Sequence, residues 1–428
     1  MPELIKGVRG TSSEDHDIEN LVKGMLRAKY NLCVNKDGTT RYDMTEMVLT
    51  HFKPKEIRTS VEKLKELGYE KDINGKKLEE EDQILEMFPH GVVLPACPET
   101  LDERADDVFL RISKFVDDEL DRLYGLPRFF NANSRHDLIG HLVVCIAPHI
   151  CTASVGRLIG FSKTQSLLAS PYMHAAMRRD CDGDECAAMF LMDMLLNFSK
   201  KFLPANRGGT QDSPLVLNAK IDAGEVDDQI LDFEVGRYPL ELYQMAEEGK
   251  HSSELDVDNV GKRLKEGKDV FSGFGFTHNS SDINNGITNS SYKYLPTMRE
   301  KVECQMNLCK KLRAVDTSDV ARLVIERHFI RDIKGNFRKF SMQVFRCVSC
   351  NQKFRRPPLS GKCLRCGGKL IFTISEGSIL KYMQGALDLE GNFGVSPYLM
   401  ECLELVQRDI ESIFGREKEK QESLGKWF

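Results

Sequence analysis

The residues best suited to chemistry lie in one run, Arg178-Arg179-Asp180-Cys181-Asp182-Gly183-Asp184-Glu185. Its three aspartates alternate with other residues, so in an extended segment their carboxylates project to one side. Gly183 has no Cβ, which lets a phosphate or a metal-bound water approach the backbone. Magnesium is a hard cation, commonly shared between one or two protein carboxylates and substrate phosphates. Arg178 and Arg179 add positive charge for phosphate without competing for the metal. The combination reads as a phosphoryl-transfer centre, although a solvated acidic turn accounts for the run alone equally well. A calcium EF-hand is excluded, because positions six and twelve counted from Asp180 hold Glu185 and Leu191 where Gly and Glu are needed.

A second set is Cys347-x-x-Cys350 and Cys363-x-x-Cys366, separated by twelve residues. Two facing Cys-x-x-Cys knuckles supply four thiolates for one tetrahedral, structural zinc with no open coordination position. Gly367 and Gly368 permit the tight turn after the second pair. Basic residues crowd this set, Arg355 and Arg356 among them, and fit a phosphate-contacting face as well as a solvated ribbon.

These groups need elements to position them. Residues 186–203 form an apolar, helix-favouring run that stops before Pro204, and a buried helix there would hold the acidic turn in place. Residues 141–155 are apolar and rich in β-branched and small residues, the mark of buried strands, with Gly156 and Gly160 interrupting the stretch beyond them. Apolar spacing predicts an amphipathic helix over 99–124, ended by Gly125 and Pro127, and a shorter one over 55–67, ended by Gly68. Another helix is expected over 295–312, and two more over 376–414, broken near 391–397. Arg157 and Lys163 are near the acids in sequence and could face a nucleic-acid backbone; taken singly, each is a plain surface charge. Arg207-Gly208-Gly209 suits phosphate contact through a guanidinium and backbone N–H groups. Asp222, Glu225, Asp227 and Asp228 form a further acidic stretch that reads as a solvated turn. Phe274, Phe276 and His278 sit in a Gly/Asn/Ser-rich loop that either lies along a nucleic-acid strand or is an irregular connection.

At 428 residues, with 41% hydrophobic and 29% charged content, the chain is long enough for about three domains. A net charge of −5 means that any nucleic-acid contact must come from local basic patches. No apolar run reaches membrane-spanning length, so no membrane partner is expected, and the first residues lack a signal-peptide core. Thirteen cysteines, an odd number with four in a metal-type set, favour a reducing cytoplasm over a disulfide framework.

Asp180-x-Asp182-Gly183-Asp184 resembles the magnesium motif in the largest subunit of multisubunit RNA polymerases. The wider run from His174-Ala175-Ala176 to Glu185 resembles the large subunit of archaeal family D DNA polymerase. So do Ala147-Pro148-His149, Gly156-Arg157-Leu158-Ile159-Gly160-Phe161, Arg207-Gly208-Gly209, Gly275-Phe276-Thr277-His278 and Arg355-Arg356-Pro357-Pro358. The likeness runs from about Gly7 to Phe428. Members of that family often carry Asn where this chain has Asp180, and the third acid either binds metal or stands by. The resemblance covers the C-terminal portion of that subunit, so either the gene is split or the chain is a piece of a longer one.

The resemblance implies an α+β protein with a double-psi β-barrel core of the two-barrel polymerase type, flanking helices and a zinc ribbon. The expected division is a mixed accessory region over 1–130, the catalytic core over 131–340, the ribbon over 341–375, helices over 376–414 and a flexible tail over 415–428. The implied function is DNA-directed DNA polymerisation in replication. Asp182 and Asp184, with Asp180, would hold two Mg2+, and Arg178, Arg179, Arg157, Lys163, Arg207, Arg355 and Arg356 would contact substrate or DNA. The implied partners are primer-template DNA, dNTPs, the N-terminal portion of the large subunit and a small subunit that proofreads 3′–5′. A sliding clamp joins them, since Gln421, Leu424, Trp427 and Phe428 resemble the clamp-binding motif. Two other classes stay open: an RNA-polymerase-like nucleotidyltransferase or phosphohydrolase, and a non-catalytic scaffold tethering DNA and clamp.

Overall fold

The computed structural model describes residues 18–204, 208–255, 257–278, 281–290, 292, 294–312, 315–371, 374 and 376–414. The chain divides into two compact units between Ser290 and Ser291. The first unit is α+β, built on a mixed sheet. Its strands are β1 (Tyr42–Val48), β2 (His51–Phe52), β3 (Leu85–Glu86), β4 (Gly91–Pro95), β5 (Leu142–Ile146), β6 (Thr152–Ser162), β7 (Ser166–Ala169), β8 (Glu185–Phe190) and β9 (Val216–Asn218). Its helices include α1 (Leu21–Lys29), α2 (Val61–Glu66), α3 (Ala105–Glu119), α4 (Pro171–Ala176) and α5 (Leu191–Asn197).

The main sheet runs β4-β7-β1-β8-β5-β6-β9, and β4 also pairs with β6. That extra pairing closes six strands into a ring whose members have no free edge. The β1–β7 and β4–β6 pairs are parallel, while β1–β8, β5–β8, β5–β6 and β4–β7 are antiparallel.

Side-chain direction alternates with the two-residue period of the strands. Met44, Val92, Val143, Leu158, Leu167 and Cys186, one from each strand of the ring, belong to a single core cluster. Only the interior of a closed ring brings all six together, and α3 packs against the same cluster through Phe109 and Ile112. The intervening residues face outward but are covered as well. Val93, Ile159 and Leu168 meet Phe52, Ile57 and Leu64, while Val144, Ala187 and Met189 meet Met194 of α5. Covering both faces explains why these strands read as unbroken apolar runs.

This double coverage corrects several sequence expectations. The run over 186–203 is not one helix: its first half completes β8 and only Leu191–Asn197 is helical. A continuous apolar run carries no periodicity to separate buried strand from buried helix. The helix expected over 55–67 is split. A 3-10 turn over Pro54–Ile57 ends at left-handed Arg58, and Ser60 caps α2. Gly156 and Gly160 lie inside β6 rather than interrupting it. A Cβ on Gly160 would stand 2.5 Å from the Ile57 carbonyl oxygen, and one on Gly156 would stand 2.7 Å from Val92 Cγ2. The helix over 99–124 forms as α3 followed by a π turn, and left-handed Gly125 ends it.

A buried polar network ties α1, α3 and α5 to the loop before β1. The Thr40 N–H donates to Asp193 Oδ2 at 2.7 Å, Asn197 Nδ2 donates to Asp193 Oδ1 and to Glu119, and Lys23 pairs with Glu119. Burial pushes the Asp193 carboxyl up to about 6, against the pull of Arg27 and these hydrogen bonds.

The second unit holds α6 (Met298–Lys311), α7 (Thr317–Leu323), α8 (Ile330–Met342), α9 (Glu376–Leu380), α10 (Met383–Phe393) and α11 (Pro397–Phe414). The expected pair over 376–414 is thus three helices, with left-handed Gly394 at one break. Between α8 and α9 lies a small antiparallel sheet of β10 (Phe345–Cys347), β11 (Lys353–Phe354) and β12 (Leu370–Ile371).

Gly160→Ala should destabilise the first unit by about 1–3 kcal/mol, read from denaturant unfolding, because a backbone carbonyl cannot give way. Asp193 has a raised folded pKa, so its contribution is full at low pH and is lost as pH rises through about 6. Asp193→Asn should therefore flatten the slope of melting temperature against pH between about 4 and 6.

Candidate functional site

The acid loop joins α4 to β8. Ser170 caps α4 by accepting the Met173 N–H, and Pro171 occupies the first turn. The helix ends at left-handed Arg178 (φ 60°), with the Arg179 N–H donating to the His174 carbonyl at 3.0 Å. Cys181 (φ 70°) and Gly183 (φ 104°) then turn the chain twice more before Glu185 enters β8. Three left-handed residues in six leave Asp180 and Asp182 exposed.

Sequence reasoning missed Glu46 on β1, which is wholly buried. Its Oε1 accepts the N–H groups of Gly183 (3.1 Å) and Asp184 (3.2 Å), and its own N–H donates to the Asp184 carbonyl at 2.9 Å. Its Oε2 lies 2.9 Å from His174 Nδ1, also fully buried. His174 Nε2 donates to the Met47 carbonyl at 3.0 Å; a carbonyl has no proton to give, so Nε2 carries a hydrogen, and an attractive contact with Glu46 needs a second one on Nδ1. Ligand atoms of Glu46, Asp180 and Asp182 come within 4.8 Å of one another and could hold a metal ion. Asp184 turns toward Arg179, with Oδ2 3.6 Å from Nη1.

The electrostatics favour a cation. The charge of Asp180, then desolvation and the charge of Asp184, hold the Asp182 carboxyl above its usual range. Burial pushes Glu46 up, but the His174 contact and the two backbone N–H groups outweigh it and hold the carboxyl low. Burial, with the charges of Glu46, Asp180 and Asp182, pushes the Cys181 thiol up to about 12. A divalent cation would relieve this crowding of negative charge.

The two arginines are anchored on carbonyls. Arg178 Nη2 donates to Glu225 at 3.1 Å and Arg179 Nη2 to Pro148 at 2.9 Å. Arg178 also lines a cavity of about 650 Å3 with His149, Gln211, Lys220 and Asp222. Arg157 is exposed on β6 and donates to the Gly140 carbonyl, and Lys163 is exposed just beyond that strand. Asp222 and Asp227 accept N–H groups of Gly224 and Gln229, as in ordinary turns. Phe274 is buried against Tyr172 and Phe233, and Phe276 packs edge-on to His51. Arg207 and the set Gln421, Leu424, Trp427 and Phe428 lie outside the described residues.

Residues 1–301 match the family described as DNA polymerase II large subunit DP2, catalytic domain. The chain belongs to this family. It is 46% identical over 424 residues to the DNA polymerase II large subunit of Methanothermobacter thermautotrophicus, covering 98% of this chain and 38% of that protein. The subunit of that name in Archaeoglobus fulgidus is 47% identical over 425 residues, covering 99% of this chain and 36% of the relative. In Pyrococcus furiosus the figures are 48% over 416 residues, 96% and 32%. The chain thus spans between about a third and two fifths of these relatives. No described helix is long and apolar enough to cross a membrane.

In the second unit the four cysteines converge, with Cys347 Sγ 3.4 Å from Cys366 Sγ and Cys350 Sγ 3.5 Å from Cys363 Sγ. A zinc–sulfur bond of about 2.3 Å sets tetrahedral sulfurs about 3.8 Å apart, so the set fits zinc after a slight expansion. Gly368 is required, since a Cβ there would stand 2.6 Å from Ser349 Oγ and 2.9 Å from Cys347 Sγ. Four thiolates packed this closely would repel one another, so the set would need a cation. Arg355 and Arg356 are exposed on the loop between the knuckles. Elemental analysis should find one zinc per chain, and Cys363→Ser should lose it and lower the melting temperature of the second unit.

Proposed function

We propose that this chain is the catalytic, C-terminal segment of an archaeal family D DNA polymerase large subunit, acting in DNA replication in the cytoplasm. The observation that carries the reading is the exposed acid loop, fixed by Glu46 at the end of a closed six-stranded ring, in a chain of this family. The ring supports a double-psi β-barrel, one of two barrels, with the second supplied by the N-terminal portion of the large subunit.

Asp182 and Asp184, with Asp180, hold two magnesium ions. When bound, these supply the charge that activates a primer 3′-hydroxyl toward the α-phosphate of a dNTP and stabilises departing pyrophosphate. The chain's own residues do the positioning. Gly183 leaves room for phosphate, its added Cβ meeting nothing within 4 Å. Arg178 and Arg179 offset phosphate charge, while Arg157, Lys163 and Arg207 lie along the DNA backbone. The zinc ribbon, with Arg355 and Arg356, adds a second DNA contact. Gln421, Leu424, Trp427 and Phe428 bind a sliding clamp, and a small subunit supplies 3′–5′ proofreading.

The test is primer extension by the chain reconstituted with the remainder of the large subunit and the small subunit. It is run beside an Asp182→Asn, Asp184→Asn double variant, with DNA binding measured for both. The expected outcome is extension by the native complex, a loss of at least about a thousandfold in the variant, and DNA binding unchanged within about twofold. Equal extension by both would remove the acids from the reaction. No extension by either, with DNA and clamp still bound, would make the chain a scaffold.

A further inference from the structure

We propose that Arg41 and Asn35 contact the substrate, and that the cavity they line beside the acid loop takes the uncharged nucleoside part of a nucleotide rather than its phosphates. This rests on the functional reading above and adds a binding subsite to it.

The cavity has a volume of about 460 Å3, within the range of small-molecule sites. Its lining includes Glu185, the first residue of β8 after the acid loop, together with Asn35, Arg41 and Asp43. The β1–β8 ladder sets Thr45 opposite Glu185, which brings the approach to β1 alongside the exit of the loop. The Arg41 side chain is only 10% exposed. Among the described residues only its Nη2 has hydrogen-bond partners, Asp37 Oδ2 at 2.8 Å and the Asp212 carbonyl at 2.9 Å. Nε is enclosed without a partner, and Nη1 has none either. The half-buried Asn35 amide makes no hydrogen bond to a described residue, and its Nδ2 is enclosed. Polar groups that lose water without gaining a partner are costly, and native structures keep few of them. Two such side chains lining one cavity point to a ligand with acceptor oxygens.

Charge decides which oxygens. The Arg41 cation is balanced by Asp37, which is wholly buried, and Lys36 lies 3.5 Å from Asp212. Asp43 and Glu185 are exposed and form no ion pair with a described residue. Two unbalanced carboxylates repel a phosphate but accept hydrogen bonds from N–H and O–H groups. The fitting ligand is therefore uncharged, with acceptors for Arg41 and Asn35 and donors for Asp43 and Glu185. The sugar and base of a nucleoside carry both. The incoming nucleotide and the primer terminus present the same groups.

The test uses the chain reconstituted with the remainder of the large subunit and the small subunit. Titration measures the binding of a dideoxy-terminated primer-template, of dATP to that complex, and of inorganic tripolyphosphate. Arg41→Lys keeps a cation for Asp37 but has one nitrogen, so it should weaken dATP or primer-template by about tenfold and leave tripolyphosphate within about twofold. Asn35→Leu should weaken the same ligand by about fivefold and leave the melting temperature unchanged or higher, because it removes a buried donor that has no partner. Weaker dATP places the incoming nucleotide in the cavity. Weaker primer-template with an unchanged salt dependence places the primer terminus there, since a lost phosphate contact would lower the slope by about one. Either outcome supports the proposal. An equal loss for tripolyphosphate, a lowered salt slope, or native binding of every ligand overturns it. Where Arg41→Lys does not fold, Asn35→Leu alone decides, and a lower melting temperature with native binding overturns the proposal by making the residue structural. Weaker binding in the variants of a native complex that extends no primer defeats the polymerase reading while the cavity assignment stands.

Discussion

One carboxylate oxygen, Glu46 Oε1, holds the backbone on which the candidate chemistry depends. The loop from Arg179 to Asp184 contains two acids facing solvent and a sequence of left-handed turns, a conformation that repulsion and strain would otherwise open. Two backbone N–H groups donated to a single buried oxygen fix where that loop begins its descent into β8. The β1–β8 ladder fixes the same point independently, with Thr45 opposite Glu185 and Met44 opposite Cys186. Loop position and strand register are therefore one constraint, and a slip of one residue would turn Glu46 away from the loop.

That constraint holds only because the ring is rigid around it. Glu46 comes after Tyr42 and Met44 on the inward side of β1, so a charged residue terminates a row that is otherwise part of the ring's apolar interior. Close backbone approach at Gly156 and Gly160 lets β6 touch β4 on one side and the turn before α2 on another. The buried Asp193 network fixes α5 immediately after β8, which clamps the far end of the strand that the acid loop feeds. Asp180 and Asp182 themselves stay exposed, as the proposed action on a nucleic-acid strand would require.

The helices of the second unit bury apolar cores of their own, but its small sheet reaches order by another route. Its small sheet of two- and three-residue strands buries little apolar surface, so the four-sulfur cluster replaces a core as the source of local order. The glycine after the second knuckle is set by sulfur geometry rather than by chain entropy, as the close approach of Gly368 to Cys347 shows.

Features that depend on short-range spacing could be read without the fold. The paired Cys-x-x-Cys knuckles, the amphipathic face of α3 and its Gly125 stop are local patterns, and each was legible; the extended, one-sided arrangement expected of Asp180, Asp182 and Asp184 was not found, because left-handed Cys181 and Gly183 turn the chain and Asp184 faces Arg179. Family membership was legible too, because many short motifs recur in one order. Other features needed contacts between distant segments. Residues 186–190 carry no period, so their place between β1 and β5, not their composition, made them a strand. Gly156 and Gly160 read as breaks until their neighbours across the fold were known. Glu46 lies 137 residues from Gly183 in a segment with ordinary strand alternation; the one signal it gave was an acid at a position where the pattern demanded an apolar residue. An acid at a buried position needs a partner, and ring closure, which no local window contains, decides who that partner is.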